Sequence, residues 1–98
     1  MKIDLLIIVS NPDAGAIITP LARACRHAGI KWAAFFTNDG VTTLDDESLV
    51  KELKYNDKLA VCQESWELHM NDKLCPLTLG SQTINSAWVS QSDRVLSL

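Results

Sequence analysis

The sequence predicts an α/β protein, a single domain over residues 1–98 in which helices cover both sides of a mostly parallel sheet of about five strands, as three α/β/α layers. Three observations lead there. Apolar runs alternate with helix-period segments from one end to the other. The first run, residues 3–9, is apolar throughout apart from one acid, as a strand buried on both faces requires. Finally, 98 residues suffice for one hydrophobic core and are too few for two.

After the first strand, Ser10-Asn11-Pro12-Asp13-Ala14-Gly15 punctuates the chain with capping residue types at Ser10, Asn11 and Asp13. A helix follows from about Ala16, with Ile17, Leu21, Ala24 and Ala28 spaced to face the sheet and Pro20 in its opening turns, where a missing amide costs less. Arg23, Arg26 and His27 near the end and Gly29 just beyond it form a C-terminal stop. Residues 30–36 are dense in apolar and aromatic types and read as the second strand, ending in the turn signal Thr37-Asn38-Asp39-Gly40. Asp45, Asp46 and Glu47 load acids onto the start of a short helix that ends near Lys51 to Lys54, matching the helix dipole. Tyr55-Asn56-Asp57 is a loop, residues 59–61 a third strand, and residues 63–70 a helix stopped by Asn71-Asp72. Residues 75–80 read as a loop or a short fourth strand. Ser81 then caps a helix to about Ser90, with Ile84, Ala87 and Trp88 on one side, and residues 93–98 form the last strand.

Composition narrows the function. The 47% apolar and 21% charged residues are those of an ordinary globular protein. A net charge of −3 with scattered bases lacks the footprint of a nucleic-acid binder. No apolar run approaches the roughly 20 residues of a membrane span. The start of the chain has no secretory pattern, so a cytoplasmic location is expected. Cys25, Cys62 and Cys75 are an odd set for a disulfide framework and are expected to be reduced thiols. His27 and His69 do not combine with them at metal-ligand spacing, so no metal is expected. The single glycine after the first strand, with no Lys-Ser or Lys-Thr pair, does not make a dinucleotide or phosphate loop.

In open α/β sheets functional groups gather at the carboxyl ends of strands. Of the residues there, Cys62 is the candidate nucleophile, because a helix N-terminus supplies amide donors and a positive pole that stabilise a thiolate. Asn11, Asn38, Asp39, Gly40, Gln63, Ser65 and Trp66 are the candidates for lining its pocket. Cys62 also reads as a small buried hydrophobe ending a core strand. Glu64 and Glu67 nearby would raise its pKa. Trp66 either covers the site or packs in the core, and Asp39-Gly40 is either a plain turn or part of the pocket wall. His69 cannot be the base, since seven residues along one helix span about 10 Å. His27 reads as a helix-terminal cation, Cys25 as core, and Cys75 as a candidate second, resolving thiol.

Several of these segments, in this order, resemble the DsrE/DsrF/DsrH-like family, which includes the TusD-type sulfur-relay subunits. They are the opening strand into Ser10-Asn11-Pro12 and a helix, Ala34-Phe35-Phe36 before Asn38-Asp39-Gly40-Val41, Ala60-Val61-Cys62 at a strand-to-helix cysteine, and the closing Ser92-Asp93-Arg94-Val95-Leu96. The resemblance implies a small α/β subunit of a homo- or hetero-oligomer that carries sulfur as a persulfide on Cys62 between donor and acceptor proteins, with no cofactor. The sequence departs from the family in its short segments around residues 41–58 and after Met70, and in Gln63-Glu64-Ser65-Trp66, where small uncharged residues are expected. Family members without the cysteine serve as structural subunits, so the alternative is a non-catalytic oligomeric subunit or small-ligand module of the same fold.

Overall fold

A computed structural model describes residues 2–98. Its strands are β1 (Ile3–Val9), β2 (Trp32–Phe36), β3 (Leu59–Cys62), β4 (Thr78–Gly80) and β5 (Ser92–Ser97). They form one all-parallel sheet in the order β4-β3-β2-β1-β5. Burial follows position in that order. The middle strand β2 is buried at every residue, whereas β5, on the edge, is largely exposed.

The helices are α1 (Gly15–Ala28), α2 (Glu47–Leu53), α3 (Gln63–Met70) and α4 (Gln82–Gln91), with a 3-10 helix at Asn38–Asp45. Ile7, Val9, Ala34, Phe36 and Val61 face one side, where Ile18 of α1, Leu49 and Leu53 of α2, Trp66 of α3 and Val41 of the 3-10 helix complete the main core. On the other side Leu6, Ala33, Phe35, Ala60 and Cys62 meet Ile84 and Trp88 of α4. The result is three layers, unequal in depth.

Helix α1 departs from its expected face. Ala14, Ile18, Ala22 and Cys25 are buried, while Ile17 is 54% exposed and Ala24 and Ala28 point outward. The smaller stripe wins because alanines and a cysteine let the helix lie close on the sheet. None of Ser10, Asn11 and Asp13 caps α1; its N-cap is Ala14, without a side-chain bond, and Asn11 Oδ1 instead accepts the Asp13 amide at 2.9 Å in a local turn. The C-terminus is as expected, with Gly29 left-handed at φ 68° and the Ile30 amide donating back to the Cys25 carbonyl.

The expected turn at residues 37–40 extends into the 3-10 helix. Thr42 and Thr43 hydroxyls donate to the Asp39 and Gly40 carbonyls, each at 2.7 Å, and Val41 and Leu44 bury on the i, i+3 side. Asp46 caps α2 by accepting the Ser48 and Leu49 amides. Ser81 caps α4 through the Thr83 amide, and Ala87, expected on the packed side with Ile84 and Trp88, is exposed.

Candidate functional site

The connections decide where a cleft opens. The chain leaves β3 for α3 on the main-core side and leaves the neighbouring β4 for α4 on the opposite side. Adjacent strands whose following helices diverge leave a crevice at their carboxyl ends. A cleft of about 470 Å³ lies there, lined by Cys62, Gln63, Glu64 and Glu67 from the β3–α3 junction and Gly80, Ser81, Gln82 and Thr83 from the β4–α4 junction. Both helices direct their amino ends, the positive poles, to this region.

Cys62 closes β3, pairs in register with Gly80 and is the N-cap residue of α3. It is 7% exposed, with its side chain packed beside Ile84 and Trp88. Gly80 has no spare room: a Cβ there would meet Ile84 Cδ1 at 2.5 Å, so the glycine lets Ile84 fold over the end of β4.

Hydrogen-bonding groups surround the thiol. Ser65 is buried, and its Oγ accepts the Asn38 amide at 2.9 Å and lies 3.5 Å from Thr37 Oγ1. Thr37 Oγ1 in turn accepts Gln82 Nε2 at 3.3 Å. The thiol makes no capping hydrogen bond in this geometry. These groups act on the thiolate. Burial is the largest single influence on Cys62 and pushes its pKa up, but the Ser65 side chain and amide, the Gln82 side chain and the Thr37 hydroxyl together bring it below the ordinary thiol value. Glu64 and Glu67, expected to raise it, are not among the influences that set it; Glu67 instead accepts Gln63 Nε2 at 3.1 Å.

The sequence candidates divide in two. Gln63 and Ser65 stand beside Cys62, and Asn38 reaches the site through its backbone amide on Ser65. Asn11 does not line the cleft, because it follows β1, two strands from β3. Gly40 is buried against the end of β1, where a Cβ would lie 2.3 Å from the Val9 carbonyl oxygen. Asp39 turns to His69, with Oδ1 3.5 Å from Nε2. Trp66 is in the main core on the other side of the sheet, its Nε1 donating to the Lys73 carbonyl at 2.7 Å, and does not cover Cys62.

Cys75 does not approach Cys62. It precedes the amino end of β4 and packs against the main core, whereas Cys62 is level with the last residue of β4 on the opposite face. All three cysteines are free, and burial pushes Cys25 and Cys75 up. Thr37 and Gln82 are site residues that the sequence reading does not single out. Their signal was position alone, one after β2 and one after β4, and it becomes readable only when β2 and β4 are known to flank β3.

Elsewhere, a hollow of about 480 Å³ at the amino ends of the strands includes Arg26, Glu52, Tyr55 and Lys58 but no cysteine, serine or threonine. Among the described residues no cluster of His, Cys, Asp and Glu suits a metal ion, and no helix is long and apolar enough to cross a membrane. No protein-family model matches the chain, and no curated protein is similar to it in sequence.

Proposed function

We propose that the protein is a DsrE-like sulfur carrier that holds sulfane sulfur as a persulfide on Cys62. The observation that carries this reading is the donor set around Cys62, which lowers its pKa where it lines a cleft. The order of motifs that resembles the DsrE/DsrF/DsrH-like family supports it independently.

The chemistry is a thiol exchange. The Cys62 thiolate attacks the outer sulfur of a donor persulfide, the donor's S–S bond breaks, the donor leaves as a thiolate, and Cys62 retains the sulfur as S–SH. Passing the sulfur on repeats the exchange, with an acceptor thiolate attacking and the Cys62 thiolate leaving. No electrons enter or leave, and no cofactor takes part. A lowered pKa serves both halves, raising the thiolate fraction for attack and improving Cys62 as leaving group.

A carrier of this kind meets donor and acceptor proteins, and we assign it to a homo- or hetero-oligomer in a reducing, cytoplasmic setting. Exposed Val89 on α4 and Val95 and Leu96 on β5 support assembly. Light scattering that finds a monomer at all concentrations would refute that part.

The 7% exposure of Cys62 favours one alternative, a non-catalytic subunit or small-ligand module in which the thiol only fills space beside Ile84. Incubation with a persulfide donor followed by peptide mass mapping separates the two. The carrier gains one reducible sulfur on the Cys62 peptide, and Cys62→Ser gains none. Equal sulfuration of Cys62→Ser, or none in the parent, defeats the carrier reading.

A further inference from the structure

We infer that Gln82 is a positioning residue for Cys62: from α4, its side-chain amide orients the Thr37 and Ser65 hydroxyls so that their protons serve the Cys62 sulfur. This rests on Cys62 being the working thiol, and it adds a residue that lies far from Cys62 in sequence but borders the same cleft.

The argument is one of hydrogen-bond direction. Asn85 Nδ2 donates to Gln82 Oε1 at 3.3 Å, which assigns the Gln82 oxygen as acceptor and leaves Nε2 to donate to Thr37 Oγ1. A hydroxyl has one proton and two acceptor lone pairs. With a lone pair of Thr37 taken by Gln82, the Thr37 proton turns inward, to Ser65 Oγ at 3.5 Å or to the sulfur. Ser65 Oγ already accepts the Asn38 amide at 2.9 Å, so its own proton also points away from Asn38. The obligate donors, Gln82 Nε2 and the Asn38 amide, stand at the outer end of the array. Its inner end is left to an acceptor, and Cys62 borders the same cleft as Gln82.

The opposite polarity would undo this. If Gln82 presented its oxygen to Thr37, the threonine proton would point outward and be lost to the sulfur. In the arrangement present Asn85 Nδ2 faces Gln82 Oε1, and Asn85 Oδ1 is buried without a partner. Chains of this kind polarise one another, so the outermost amide reaches the terminal acceptor.

The lowered pKa of Cys62, to which Ser65, Gln82 and Thr37 all contribute, agrees with this direction. The array also joins elements that are otherwise separate. Thr37 follows β2, Ser65 belongs to α3 and Gln82 to α4, a helix with no fully buried residue, held by Ile84 and Trp88. Reactivity of the thiol therefore depends on α4 being seated.

The test is the pH profile of Cys62 alkylation by iodoacetamide, followed by peptide mapping so that Cys25 and Cys75 do not contribute. Gln82→Met removes the amide at nearly constant shape on an exposed residue, and Thr37→Val removes the hydroxyl. Each should move the midpoint of the profile to higher pH and slow alkylation at neutral pH about three- to tenfold, the range for loss of one hydrogen bond. Thr37→Ser, which restores a hydroxyl, should return the parent midpoint. The double variant should be slower than either single variant but by less than the product of their effects, because Gln82 serves the sulfur partly through Thr37.

A parent midpoint in Gln82→Met, or two effects that simply add, overturns the inference. If that happens while Cys62 still accepts sulfur, the carrier reading stands and only the role of Gln82 falls. If the parent Cys62 resists alkylation at every pH, both fall.

Discussion

Gly40→Ala tests whether the segment that supplies Asn38 is seated as described. An added Cβ would lie 2.3 Å from the Val9 carbonyl oxygen, 2.6 Å from its carbon and 2.9 Å from Ser10 Cα. All three are backbone atoms at the end of β1, a strand held on both sides by β2 and β5, so no side chain can swing away to relieve the contact. Separation to ordinary van der Waals distance requires the 3-10 helix to lift by about 1 Å. That movement strains the Thr37 amide bond to the Val9 carbonyl, 2.9 Å long, and leaves a gap beneath Val41. Overpacking of this kind costs about 3 kcal/mol, at the upper end of its usual range because the obstructing atoms are backbone. For a domain of this size that lowers Tm by roughly 15 °C.

The same lift stretches the 2.9 Å bond from the Asn38 amide to Ser65 Oγ, so the alkylation midpoint of Cys62 should rise along with the loss of stability. Gly29→Ala is the control. Gly29 has φ 68° but nothing within 4 Å of an added Cβ, so only the left-handed backbone is penalised, by about 1 kcal/mol, and Cys62 is untouched. Urea unfolding of both variants, paired with iodoacetamide kinetics, gives the comparison. If Gly40→Ala loses less stability than Gly29→Ala, or loses it without moving the Cys62 midpoint, the reasoning from contact to thiol is refuted.

Three further outcomes are expected. Ile18→Ala should cost about 2–5 kcal/mol in urea unfolding and Ile17→Ala under about 0.5, since Ile18 is fully buried and Ile17 half exposed; the reverse order would restore the other face of α1. The Arg26 side-chain bond, with lesser help from Arg23 and against burial, holds the Glu52 carboxyl below its usual range. A carboxyl lowered on folding contributes stability above its unfolded pKa of about 4.3 and loses it as pH falls through the folded value. Parent and Glu52→Gln should therefore differ in urea midpoint at neutral pH and converge in acid; a constant difference would deny the linkage. Finally, the Cys62 cleft is bordered by Glu64 and Glu67 and by no cation. A cationic methanethiosulfonate should modify Cys62 a few-fold faster than an anionic one at low salt, with the ratio approaching one at high salt or in Glu64→Gln/Glu67→Gln. Equal rates in the parent would show that the acids do not reach the thiol.

What the sequence revealed and concealed follows from the range of the interactions. The strands β1, β2 and β3 and the junction at Cys62 are written locally, as apolar runs followed by helix starts, and they appear within a few residues of expectation. Helix α1 is different, because apolar residues lie on two neighbouring stripes. Ile17 is the more hydrophobic choice, but Ala22 and Cys25 permit close approach, a property of the sheet beneath and not of the helix, and of the expected face only Leu21 packs on the core. The 3-10 helix was legible only as a turn, since it depends on threonine hydroxyls bonding back to carbonyls and on Gly40 touching β1.

The cleft shows the same limit at a larger scale. Cys62 and Ser65 could be singled out because they are close in sequence and follow one strand, while Thr37 and Gln82 reach them only through the order β4-β3-β2. Ile84 and Trp88 mark an apolar side of α4, but spacing cannot say which face of the sheet that side covers. That choice makes the site. With α4 on the same face as α3, β3 and β4 would feed parallel crossovers and no crevice would separate them. Because α4 lies on the opposite face, the chain parts beside Cys62 and Gly80, two helix amino ends converge on the gap, and Gln82 comes within reach of Thr37. The position of the thiol is therefore a local property of β3 and α3. Its chemical setting comes from the one connection that crosses the sheet.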